Sequence, residues 1–122
     1  MRNLLEETLV VLAETGKSPE HVLWCGSSEG EYLFDWATFE DLARECLYDG
    51  GPGAQEIAAD LVIVGEDWWL DRGEYDGSEW WNYNTMPSRP VHLLAPDRLS
   101  AKPDDVGWRT LAQIHESDEE ED

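Results

Sequence analysis

A short aromatic run leaves this chain few choices. Trp68-Trp69 and Trp80-Trp81 flank a polar stretch, Glu74-Tyr-Asp-Gly-Ser-Glu79, centred on Asp76-Gly77. Asp-Gly is a strong hairpin signal, because a tight turn needs residues that accept positive φ. The spacing predicts one strand over Trp68 to Tyr75 and the next over Glu79 to Asn84. Successive strand residues point to opposite faces of a sheet. One indole of each pair therefore enters a core, and the other stays on the outer face unless a helix covers it. As packing alone, the four rings make stabilising cross-strand aromatic pairs. As a binding element, the outer pair is a rigid contact patch rimmed by Asp71, Glu74, Asp76 and Glu79, since aromatic anchors inside a polar rim make interface hot spots. Trp68 and Trp81 are assigned to that patch.

The rest of the chain supplies the remaining layers. Asn3 is an N-cap candidate with Glu6 as its capping-box partner, and Leu4, Leu5, Leu9, Val11 and Leu12 form an apolar helical stripe that Gly16 ends. Ser18-Pro19-Glu20 is a turn or a short helical start. Val22 to Cys25 and Tyr32 to Trp36 are predicted as a hairpin around Gly26 to Gly30. Thr38 with Asp41 forms a second capping box. Behind it, Phe39, Leu42, Ala43, Cys46 and Leu47 recur at the spacing of one buried helical face. Asp49-Gly-Gly-Pro-Gly53 breaks the chain, and Gln55 to Asp60 is predicted as one helical turn. Leu61-Val-Ile-Val64 is β-branched and apolar, the pattern of a central strand. Pro87 and Pro90 end the last strand. Val91 to Ala95 suggests an edge strand and Val106 to Ile114 a short helix. The expected fold is α+β in the order αββαβββ: a small antiparallel sheet of about five strands with two helices packed on one face. Residues 1–90 form the compact domain, 91–115 a weakly ordered extension and 116–122 a disordered acidic tail.

Charge is distributed unevenly. The chain has 122 residues with 28 acidic and 8 basic side chains, a net charge of −20. Residues 29–79 hold fifteen acids against Arg44 and Arg72, and the tail 116–122 holds six acids and no base. A terminal like-charge run is ordinarily a solvated end. Excess negative charge on a folded middle segment costs self-repulsion, so an offsetting gain in solubility or function is expected there. This balance excludes a nucleic-acid binder that works by basic contacts and a binder of anionic membranes. No apolar run approaches the ~20 residues of a membrane span, and no signal peptide is evident. A cytoplasmic protein of a host cell is expected.

Catalytic chemistry finds little support. Cys25 and Cys46 with His21, His92 and His115 lack the close paired spacing of metal motifs, and the bland reading is two reduced, buried thiols. The loop Asp49 to Gly53 lacks the Lys and Ser/Thr that end a phosphate cradle. Nucleophile elbow, catalytic triad and calcium loop are all missing from the sequence. The expectation is a non-enzyme with no cofactor and no metal.

The stretch from Tyr48 to Leu61, followed by Asp67-Trp-Trp-Leu-Asp-Arg72 and Glu74-Tyr-Asp-Gly-Ser-Glu-Trp-Trp81, resembles small acidic proteins encoded by phages and prophages. The resemblance covers roughly residues 1–90, with Ala54 where the pattern has Gly and Gly73 where it has His. It implies a phage setting and no particular activity.

Two functional readings follow. In the first, the protein is a nucleic-acid mimic that inhibits a host defence protein, in the manner of anti-CRISPR or anti-restriction inhibitors. A row of carboxylates (Glu40, Asp41, Glu45 and Asp49 from the helix, with Glu66, Asp67, Asp71, Glu74, Asp76 and Glu79 from the hairpin) occupies the basic groove of a nucleic-acid enzyme. No nucleic acid binds directly. Such a row steers fast, salt-sensitive association. In the second, the aromatic hairpin makes a protein-interaction or homodimerisation module, and the acids serve only solubility.

Overall fold

A computed structural model of the chain describes residues 1–50, 53–104 and 107–119. They fall into two compact units, Met1–Pro87 and Ser88–Asp122.

The first unit is α+β. Strand β1 (Arg2–Asn3) leads into α1 (Leu4–Glu14), whose N-cap Asn3 accepts the Glu6 backbone N–H at 3.0 Å through its side chain. Gly16, at φ 75°, lets the chain turn away after the helix. A 3-10 turn over Pro19–His21 follows, with Pro at its first position. Then come β2 (Trp24–Ser27), β3 (Leu33–Phe34), α2 (Trp36–Arg44), β4 (Leu47–Tyr48), β5 (Leu61–Val64), β6 (Trp68–Tyr75) and β7 (Ser78–Thr85). Five strands form one antiparallel sheet in the order β3-β2-β5-β6-β7, and β1 pairs with β4 in a separate two-stranded piece.

Several local expectations change. Helix α2 starts two residues before Thr38, because Asp35 is its N-cap and accepts the Thr38 backbone N–H at 2.9 Å. Those bonds hold the Asp35 carboxyl below its ordinary pKa. The strand expected over Tyr32 to Trp36 shrinks to Leu33–Phe34 for the same reason. Gln55 to Asp60 forms no helix; the Glu56 and Ile57 backbone N–H groups donate to the single carboxylate of Glu79 instead.

One face of the sheet carries the core. Leu4 and Leu12 of α1, Phe39 and Ala43 of α2, Tyr48 of β4, and Cys25, Ile63, Trp68, Leu70 and Trp81 of the sheet form a single buried cluster. The register explains the membership: Cys25 lies opposite Ile63, Ile63 opposite Leu70, and Trp68, Leu70 and Trp81 share that face by alternation. Each fully buried Leu, Ile or Phe side chain among them contributes about 1.5–3 kcal/mol. Burial pushes the Cys25 thiol up to about 12, with the Asp35 charge adding to it. Cys46 is half-buried and its pKa is raised, again chiefly by desolvation.

The second unit contains α3 (Leu111–Glu119). Thr110 and Gln113 close a reciprocal cap, each side chain accepting the other's backbone N–H at 3.0 and 3.1 Å. The helix overlaps the one expected over Val106 to Ile114 at residues 111–114 and runs further toward the C-terminus, and residues 105–106 fall outside the described ones. No strand forms over Val91 to Ala95. The tail expected to be disordered is helical from 116 to 119, and residues 120–122 lie outside the described residues.

Candidate protein-binding surface

The β6–β7 hairpin is built by its turn. Asp76 and Gly77 both have positive φ, 51° and 87°, and Tyr75 pairs with Ser78. The pairing then runs without a slip to Trp68 opposite Thr85. This register fixes which side chains share a face.

The inner face holds Trp68, Leu70, Arg72, Glu79 and Trp81. Trp68 is 3% exposed and Trp81 7%, so both tryptophans expected at a contact patch are core residues. The Trp81 indole N–H donates to Thr8 Oγ1 at 2.9 Å, which satisfies its polar edge inside the core. The outward pair is Trp69 and Trp80. Alternation requires one ring of each pair to face out, but helices α1 and α2 cover the face of Trp68 and Trp81.

Glu79 also leaves the expected binding row. Its carboxylate is buried; it lies 3.3 Å from Arg72 Nη2 and accepts the backbone N–H groups of Glu56 and Ile57 at 2.8 and 3.2 Å. Arg72 in turn lies 3.4 Å from Glu7 Oε2, and its guanidinium stacks 4.7 Å from the centre of the Trp81 ring. The Tyr48 hydroxyl donates to Glu7 at 2.7 Å. Burial, and then this bond, raise the Tyr48 pKa. Arg2 completes the cluster, 3.3 Å from Glu7 and donating to the Glu79 carbonyl at 2.9 Å. The network ties α1, β4, β6, β7 and the loop at 56–57 together, and its role is architectural. Alternation puts Arg72 in phase with Trp68 and Leu70, and Glu79 with Trp81, so the sequence signals that they share a face but not that this face is the buried one.

The outer face has a different character. Trp24 lies opposite Val64, Val64 opposite Trp69, and Trp69 opposite Asn84, making one row across four strands. A second row places Asp71 opposite Asn82, and a third places Gly73 opposite Trp80. Trp80 lies over Gly73: a Cβ built there would come 2.7 Å from Trp80 Nε1. Glycine thus provides the seat for this indole, whose N–H donates to Asn82 at 2.9 Å. Trp24, Trp69 and Asp71 are half-buried, and Trp80 is 37% exposed.

The ten expected carboxylates do not share one face. Glu40, Asp41 and Glu45 ride on α2 and its C-cap, and α2 packs on the inner side of the sheet. Glu40 and Asp41 are both ion-paired with Arg44, at 3.3 and 3.2 Å. Asp49 is exposed beyond β4, and its backbone N–H donates to Glu56. Glu66 and Asp67 form the β5–β6 turn, Asp71 points outward, and Glu74 and Asp76 stand at the far end of the hairpin. Among the described residues none of these last five is ion-paired; Glu74 accepts a hydrogen bond from Gln55 at 2.8 Å.

Among the described residues no group of His, Cys, Asp and Glu is placed to hold a metal ion, and no helix is long and apolar enough to cross a membrane. No protein-family model, curated protein or solved structure matches this chain.

Proposed function

We propose that the protein is an acidic binding protein that occupies a basic, nucleic-acid-binding surface of a partner protein and blocks it, as phage-encoded anti-defence inhibitors do. One observation carries this reading. A single hairpin with its leading turn holds five carboxylates, Glu66, Asp67, Asp71, Glu74 and Asp76, without an ion pair among the described residues, while its own cation, Arg72, is consumed inside by Glu7 and Glu79. The hairpin therefore projects negative charge that nothing on it neutralises. The hairpin, rather than α2, is the charged docking element, since Arg44 already offsets two of the helix acids. Long-range attraction to a lysine- and arginine-rich groove speeds association and weakens as salt screens it.

The test is affinity capture from bacterial lysate at low and high salt, with and without competing DNA. A partner retained at low salt and released by DNA is expected. Reversal of Asp71, Glu74 and Asp76 to Lys abolishes capture under this reading, whereas reversal of Glu40, Asp41 and Glu45 leaves most of it. Capture indifferent to salt and DNA overturns the proposal.

A further inference from the structure

Resting on the reading above, we infer that the outer sheet face receives arginine side chains of the partner, stacked on Trp69 and Trp80, with Asp71 between the rings as the anionic contact. Same-face residues on a strand lie ~6.7 Å apart. Trp69, Asp71 and the position of Gly73, over which the Trp80 ring lies, follow one another along β6. The result is an indole, a carboxylate and a second indole in line. A guanidinium combines a flat face that stacks on aromatic rings with N–H donors that suit a carboxylate.

The inner face of the same hairpin shows what these residue types hold. There Arg72 stacks on Trp81, lies 5.8 Å from the centre of the Tyr48 ring, and meets the carboxylates of Glu7 and Glu79. The outer face repeats the rings and the carboxylate, but its strand positions include no lysine or arginine. Lys17 over Trp68 and Arg2 over Tyr48 are further cation–π pairs of the same kind among the described residues. The net charge of −20 opposes a second copy of this chain as the occupant, because two such bodies repel each other. It favours a cationic partner, and the exposed carboxylates of Glu66, Asp67 and Asp76 at the two ends of the row strengthen that preference.

The experiment is a titration of the full chain with an oligo-arginine peptide and with an oligo-lysine peptide of equal length, followed on the seven indole N–H resonances and the backbone amides by NMR. Shifts concentrated at Trp69 and Trp80, and binding of oligo-arginine tighter than oligo-lysine by about threefold or more, are expected. Asp71→Asn and Trp80→Leu, both outside the buried cluster, should each weaken oligo-arginine binding several-fold while amide dispersion stays native. Equal affinity for the two peptides, or shifts confined to α2 or to the Asp76 turn, overturns the inference. So do indole shifts that follow protein concentration and rise with salt in the absence of peptide, which would identify a second copy as the occupant. The broader reading fails separately. A lysate partner released by DNA but bound equally well by Trp80→Leu removes this inference and leaves the proposed function. Arginine-selective titration with no DNA-sensitive partner does the reverse.

Discussion

Arg72 and Glu79 are diagonal neighbours across the β6–β7 hairpin, with guanidinium Nη2 3.3 Å from carboxylate Oε1 and side chains only 4% and 3% exposed. Removing one member of such a pair leaves an uncompensated buried charge, which typically costs about 3–5 kcal/mol. Glu79→Gln is expected to lose about that much, since it also weakens the grip on the Glu56 and Ile57 amides. Arg72→Lys should not rescue the site, because a point ammonium cannot reach Glu7 and Glu79 while stacking on Trp81. Arg44→Ala, which removes two exposed pairs, should cost under about 1 kcal/mol. Urea unfolding of the three variants checks the ranking.

The two tryptophans that follow Glu79 should respond to substitution to very different extents. Trp81→Ala removes a buried ring and the bond its N–H donates to the Thr8 hydroxyl, which keeps its own bond to the Leu4 carbonyl, so a loss of about 3–5 kcal/mol is expected. Trp80→Ala empties an outer position and should cost under about 1.5 kcal/mol. Thermal unfolding distinguishes them, and equal losses would contradict the assignment of faces.

Alkaline pH should destabilise the fold. The Cys25 thiol is pushed up to about 12 in the folded protein from 9.0. Its contribution is fully present below pH 9 and is lost as the pH rises toward 12, because the unfolded chain releases that proton first. The slope for one such group is about 1.4 kcal/mol per pH unit. Tyr48, with its pKa raised from 10.0, adds to the loss above pH 10. Cys25→Ala should lessen the fall of the denaturant midpoint between pH 9 and 10, where Tyr48 contributes little and Cys46, whose pKa is also raised, supplies the remainder.

The hairpin turn should be sensitive at Gly77 and tolerant at Asp76. At φ 87°, Gly77→Ala places a Cβ in the left-handed region and should cost about 1 kcal/mol. Asp76→Asn keeps a residue that accepts φ 51° and should change stability by under about 0.5 kcal/mol. Comparing the melting temperatures of these two variants is sufficient.

Local code in the chain already specifies the β6–β7 hairpin, the α1 cap at Asn3, the Leu61–Val64 strand and the α+β order. Each rests on residues near in sequence: a turn dipeptide, a capping side chain, a β-branched run. Short-range signals failed where two local solutions compete. Asp35 and Thr38 are both good caps, and the bond actually made, Asp35 to the Thr38 amide, decided where α2 begins. The strands β1 and β4, two residues each, carry too little pattern to be recognised before their pairing is known.

Alternation of Trp68-Trp69 and Trp80-Trp81 is a property of the chain, because a strand turns over at every residue. The side on which α1 and α2 settle is a property of the folded body. That choice buries Trp68 and Trp81, turns Trp69 and Trp80 outward, and draws Arg72 and Glu79 out of the surface charge into the interior. Long-range packing selects one of two faces that the pattern alone leaves equivalent, and with it which acids and which rings a partner can meet.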